Sequence, residues 1–146
     1  MTDPASPSQE NVYFARLPET HLLHRLGMRW VQGPAGEAAV ELALHADVVN
    51  GRGMLEGGLV AALVDVAAGQ AAGQLLIPGA EYRTADVTIH YLRPIRVGPA
   101  WAVPHVRRAG RRRVVVGVDV LDHGADDALG AVATASFHVA DEPADE

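Results

Sequence analysis

Residues 50–73 read Asn50-Gly51-Arg52-Gly53-Met54-Leu55-Glu56-Gly57-Gly58-Leu59-Val60-Ala61-Ala62-Leu63-Val64-Asp65-Val66-Ala67-Ala68-Gly69-Gln70-Ala71-Ala72-Gly73. A glycine-rich turn runs directly into a long apolar segment, and the pattern predicts a helix over residues 59–76 that Pro78-Gly79 stops. The surrounding window, residues 57–77, holds one charge, Asp65. It is rich in Ala and Gly and contains Asp65, Gln70 and Gln74, all costly in lipid, so the expectation is a helix buried in a soluble core and not a membrane span. A helix that is apolar nearly all round needs cover on most of its sides. A strongly curved sheet would supply that cover.

The flanking sequence offers the sheet. Residues 29–32 and 37–46 have an extended pattern and are separated by Gly33-Pro34-Ala35-Gly36, a hairpin signal. After the helix come four β-rich runs, at 83–92, 100–108, 112–121 and 129–139, divided by Pro94, Gly98-Pro99, Ala109-Gly110 and His123-Gly124-Ala125. With no helix between them they are expected as a four-strand antiparallel meander of sequential neighbours. Pro104 inside the second run predicts a bulge or an edge. Residues 18–26 are a short helix candidate with Gly27 as its stop. The fold expected is α+β, one long central helix wrapped by a curved antiparallel sheet. Residues 1–14 are expected as a flexible tail, 15–140 as a single domain and 141–146 as an acidic tail.

Composition narrows the chemistry. Of 146 residues, 49% are hydrophobic but only 5% aromatic, so the core is expected to be aliphatic. The net charge of −6 comes from the tails, which carry Asp3, Glu10, Asp141, Glu142, Asp145 and Glu146. The body is neutral, which argues against nucleic acid as a partner. There is no Cys and no Lys, which excludes thiolate nucleophiles, zinc-thiolate sites, Schiff-base lysines and the phosphate loop that ends in Gly-Lys. Of the three serines, Ser6 and Ser8 fall in the tail, and Ser136 lies in a strand pattern without a glycine elbow. Hydrolysis on this chain must therefore use a carboxylate or water activated by one. The seven His form no metal motif, and neither a metal nor a cofactor is called for. The start has neither a basic n-region nor an apolar h-region, so export is not signalled and a cytoplasmic protein is expected.

Asp65 is the sharpest residue. A lone carboxylate between Leu63-Val64 and Val66-Ala67 is costly to desolvate, and it either serves chemistry or is satisfied by a partner. The glycine turn before the helix gathers backbone amides at a positive helix end, a place suited to an anion or a developing oxyanion. Gly51-x-Gly53-x-x-x-Gly57 has the wrong spacing for a dinucleotide fingerprint. On the strand at 83–92, Thr84, Asp86, Thr88 and His90 alternate with Ala85, Val87, Ile89 and Tyr91. The second set is expected against the helix and the polar set away from it.

These residues resemble a family. Asn50, Glu56-Gly57-Gly58 and Asp65, then Thr84-Ala85-Asp86-Val87-Thr88-Ile89-His90-Tyr91-Leu92-Arg93-Pro94, then Gly110-Arg111-Arg112, resemble in order and spacing the hotdog-fold acyl-CoA thioesterases, most closely the phenylacetate-degradation branch. The resemblance covers about residues 22–140 and implies a homodimer, or a dimer of dimers, with active sites at the interface. It implies Asp65 as general base or nucleophile, the Gly57 amide of the other subunit as the donor to the thioester carbonyl, Asn50 as an orienting group, and Thr84 as a site hydroxyl. Gly58, Tyr91, Arg93, Arg96 and Arg108 are implied in binding substrate. Arg111 and Arg112 extend the basic turn that would pair the coenzyme A phosphates. Where the family usually carries His-Gly-Gly, this chain has Glu56-Gly57-Gly58. Across such a dimer Glu56 would approach the other subunit's Asp65, so that activity is expected to rise with pH. The alternatives are a non-catalytic acyl-CoA-binding or regulatory module, and a hotdog dehydratase or hydratase.

Overall fold

The structure is a computed structural model that describes Phe14, residues 16–77 and residues 79–140. The two expected tails, Phe14 apart, and Pro78 of the expected helix stop lie outside these residues. A short helix α1 (Leu22–Leu26) is capped by His21 and closed by Gly27, whose φ of 89° is the left-handed conformation that glycine adopts without strain. It is shorter than the sequence predicts. The strands β1 (Arg29–Gln32) and β2 (Ala38–Leu42) form the expected hairpin. The helix α2 (Gly57–Gly73) starts two residues earlier than predicted, because Glu56 and not Gly58 is its N-cap. Four strands follow: β3 (Tyr82–Tyr91), β4 (Ala100–Ala109), β5 (Arg113–Asp122) and β6 (Ala128–Val139).

The sheet order is β1-β2-β4-β5-β6-β3, with every pairing antiparallel. This corrects the expected meander. Of the four strands after α2, only β4, β5 and β6 are sequential neighbours, while β3 lies on the far side of β6. The eight residues between β3 and β4 are enough to leave one edge and re-enter elsewhere, which a two-residue turn would forbid. Pro104 behaves as predicted: β2 covers β4 only over Ala100–Ala102, so Pro104 sits where the flank of β4 is already an edge.

One face of this sheet lies on α2. Val60, Leu63, Val64, Ala67, Ala68 and Ala72 are buried, and Gly58 alone within the helix is exposed. The opposing layer is Val114, Val116, Val118 and Val120 of β5 with Ala131, Ala133, Ala135 and Phe137 of β6, an aliphatic core as the composition implied. Small residues let the layers approach. Tyr82 Oη donates to the Gly69 carbonyl at 2.9 Å, and any side chain at Gly73 would collide with the Tyr82 hydroxyl. No helix among the described residues is long and apolar enough to cross a membrane.

The crossover from β3 to β4 is held by one buried carboxylate. Asp122, 3% exposed at the end of β5, accepts from the amides of Arg96, Val97 and Gly98 at 2.9, 3.2 and 2.6 Å. Removing it strands three backbone donors in a closed loop. Asp122→Ala is expected to lower unfolding stability by about 2–4 kcal/mol, measured by urea denaturation. A loss below about 0.5 kcal/mol would mean that the loop holds itself.

Candidate functional site

Asp65 lies on the half-buried side of α2 that faces β3, and its carboxylate Oδ1 accepts a 2.7 Å hydrogen bond from Thr84 Oγ1. Strict alternation along β3 would not allow this contact. Thr84 pairs with Phe137 and Asp86 with Ser136, so Ala85 is an extra residue opposite no partner, a β-bulge. The bulge changes the phase of the strand. Val87, Ile89 and Tyr91 share the inner face with Thr84, while Asp86, Thr88 and His90 lie on the outer one. The expectation that Thr84 points away from the helix with Asp86, Thr88 and His90, and that Ala85 packs against it, is thus corrected. Asp86 instead accepts from Ser136 Oγ on the outer face at 2.6 Å.

The carboxylate opens onto a pocket of about 240 Å³. Val66, Gly69, Gln70, Tyr82 and Phe137 line it, with Tyr82 and Phe137 edge to face at 6.0 Å. None of these was read as a site residue in the sequence, where Gln70 stood out only as a polar group costly in lipid. The signal available was Gly69 and Gly73 one turn apart on a helix, a sign of close approach by a neighbouring element.

The glycine turn builds a second pocket at the other end of α2. It measures about 360 Å³ and is lined by Asn50, Met54, Gly57, Tyr91, Arg93 and Ile95, among others. Asn50 organises the turn: its Oδ1 accepts from the amides of Arg52 and Met54 at 2.9 and 3.3 Å, leaving Nδ2 as the donor it can offer elsewhere. Backbone bonds from Leu55 to Ile95 and from Glu56 to Val48 fix the approach to the helix. Tyr91 Oη donates to the Gly57 carbonyl at 2.7 Å, and Arg96 Nη1 donates to the Arg52 carbonyl at 2.9 Å. In this chain Tyr91 and Arg96 therefore brace the helix start and the turn. Glu56 Oε1 accepts from Gly57 N at 3.1 Å.

Within one chain the two groups do not meet. Gly57 and Asp65 are eight positions apart, about 12 Å along the helix. The arginines divide in the same way. Arg93 and Arg96 lie at the Gly57 end. Arg108, Arg111, Arg112 and Arg113 are exposed around the β4–β5 turn, where Arg113 pairs with His138, and His138 with Arg83, one row from Thr84. The basic turn thus stands at the Asp65 end. A carboxylate held by a hydroxyl donor can act as a general base, and a helix N-terminus can stabilise developing negative charge.

The model of the thioesterase superfamily matches residues 52–128, which include the glycine turn from Arg52 onward, α2 and β3 to β5. A candidate esterase of Saccharolobus solfataricus is 31% identical over 105 residues, 71% of this chain and 72% of its own. The solved structure of a Bacillus halodurans protein with CoA superposes with a TM-score of 0.76 at 28% identity, covering 93% of this chain and 91% of that one. A phenylacetic acid degradation-related protein of Ralstonia eutropha shares the fold, with a TM-score of 0.73 at 21% identity over 90% of this chain and 98% of its own. The chain belongs to the thioesterase superfamily, and its architecture of one long helix against a curved antiparallel sheet is the hotdog fold.

Thr84 is expected to act through Asp65 by fixing its orientation. Thr84→Val, which keeps shape and removes the donor, should lower kcat on a hydrolysed thioester about tenfold, the worth of one charge-assisted hydrogen bond. KM should change less than twofold, and unaltered kcat would remove Thr84 from the site.

Proposed function

We propose that this protein is an acyl-CoA thioesterase that works as a dimer, with each active site assembled from the Asp65 end of one subunit and the Gly57 end of the other. The observation that carries the reading is the Thr84–Asp65 pair: a hydroxyl-held carboxylate opening onto a pocket, in a chain that contains neither Cys nor Lys. Membership of the thioesterase superfamily and the CoA in the Bacillus halodurans structure support it. Among the described residues no strand pairs with the outer edge of β3, and such an edge offers backbone groups through which two subunits join. Such a union would bring together what one chain keeps apart, the carboxylate with the helix-start amide and the Arg111–Arg112 turn with Arg93.

In this mechanism the thioester carbonyl oxygen accepts from the Gly57 amide, where the helix dipole favours developing negative charge. Asp65 either takes a proton from the attacking water, or attacks the carbonyl itself to give a mixed anhydride that water then hydrolyses, and Thr84 keeps its carboxylate oriented. The thiolate of coenzyme A leaves and takes up a proton, and the carboxylic acid departs. Asn50, through Nδ2, is placed to orient the substrate or the water. The acyl group occupies the pocket between Gly69, Tyr82 and Phe137, whose size suits a small or medium acyl chain. Arginines of the basic turn pair the phosphates, and the reaction takes place in the cytoplasm.

Two measurements test this. Asp65→Asn should cut turnover at least about a hundredfold in a thiol-release assay over aromatic, short and long acyl-CoAs, while affinity stays within a few-fold. A variant that turns over near the wild-type rate would end the assignment, and ligand binding without thiol release by the wild type would make the protein a binding module. Replacing Arg112 and Arg113 together by Ala should raise KM and weaken its salt dependence, with kcat little changed. A KM that stays put at low salt would leave the cluster as a solvated turn.

A further inference from the structure

Gly57 opens α2, so its N–H has no acceptor within the helix. This is the amide that the proposed mechanism gives to the thioester carbonyl, and it is already taken. Glu56 Oε1 accepts from it at 3.1 Å, folding back onto the residue that follows it in the chain. The third and fourth helical donors are satisfied differently: the amides of Leu59 and Val60 both bond to the Glu56 backbone carbonyl, at 2.9 and 3.1 Å. The rest of the helix start is sterically open. A Cβ at Gly58 would meet nothing within 4 Å, and one at Gly57 would meet only the Tyr91 ring, at an ordinary 3.7 Å. Among the described residues, the acceptor that holds this amide is the Glu56 carboxylate. An ionised carboxylate is a stronger acceptor than a neutral thioester carbonyl.

We propose that Glu56 is an internal competitor for the oxyanion-binding amide, a carboxylate that must leave Gly57 N before a substrate carbonyl can be polarised there. This rests on the acyl-CoA reading above and deepens it. Glu56 is exposed, so the displaced carboxylate returns to water and the barrier is one hydrogen bond. The competitor sets a threshold. An acyl-CoA anchored well enough elsewhere displaces it, and a poorly anchored thioester does not. Its effect falls on ligands that present a carbonyl at the amide and spares those that do not.

Binding by titration calorimetry separates these cases with two probes. One is coenzyme A, which has no carbonyl at the reacting position. The other is an acyl-CoA ketone analogue, with a methylene in place of sulfur, which keeps the carbonyl and cannot be hydrolysed. For Glu56→Ala the ketone analogue should bind about tenfold more tightly and coenzyme A equally well. Glu56→Gln, a neutral acceptor of the same shape, should fall between variant and wild type. The kcat/KM for thiol release should rise about tenfold in Glu56→Ala. Equal tightening of both probes would make Glu56 a general repulsive charge and overturn the proposal, and so would no change in either. If neither probe binds the wild type, the acyl-CoA reading itself fails and takes the competitor with it. Should Glu56→Ala unfold, Glu56→Ser keeps a good helix cap whose short side chain reaches past the first amide, and carries the same test.

Discussion

A helix without a polar face is the constraint on which this molecule is built. From Leu59 to Gly73 no residue of α2 is exposed, and its side chains are mostly Ala, Val and Gly. Such a helix cannot rest on a flat layer with water on its far side, because too much apolar surface would stay wet. The six strands curve around it, and small residues allow the approach: Gly73 admits Tyr82, Gly69 leaves room for Phe137, and alanines of β6 share the core with alanines of the helix. Asp65 is conspicuous within this arrangement. Where nearly every neighbour is apolar, one carboxylate keeps its place only at the seam where β3 supplies a hydroxyl.

Much of this was legible in the chain. The helix, the hairpin and all four later strands follow from periodicity and from Gly and Pro punctuation, since those signals are local. The start of α2 was misplaced by two residues because Gly57 and Gly58 read as turn, whereas the side chain that caps the helix belongs to Glu56. The position of β3 beyond β6 was not legible. Which strand pairs with which is decided by the shape of the layer that covers the helix, and the loop at residues 92–99 fits either neighbour by length.

The site divides along the same line. Asp65 announces itself as a lone charge in an apolar helix and the glycine turn by its composition, whereas Asn50 and the Gly57 amide were named through the resemblance. Thr84 was found through resemblance but put on the wrong face, because no glycine or proline marks the bulge at Ala85. The contributions of Tyr82, Gln70 and Phe137 are tertiary, and arise only once β3 and β6 lie side by side over the helix.

The bulge also gives β3 a parity. Residues on either side of Ala85 are locked to the inner face by different partners, Thr84 by Asp65 and Val87, Ile89 and Tyr91 by the core and the helix start. The strand therefore behaves as two rulers joined with a half-step offset. Loss or gain of one residue between them would turn one ruler over, sending either the hydroxyl or the apolar set outward, whereas a change of two would leave both faces as they are. Length variation among chains of this architecture should thus come in even steps across this point of β3, while the loops that flank the strand can drift one residue at a time.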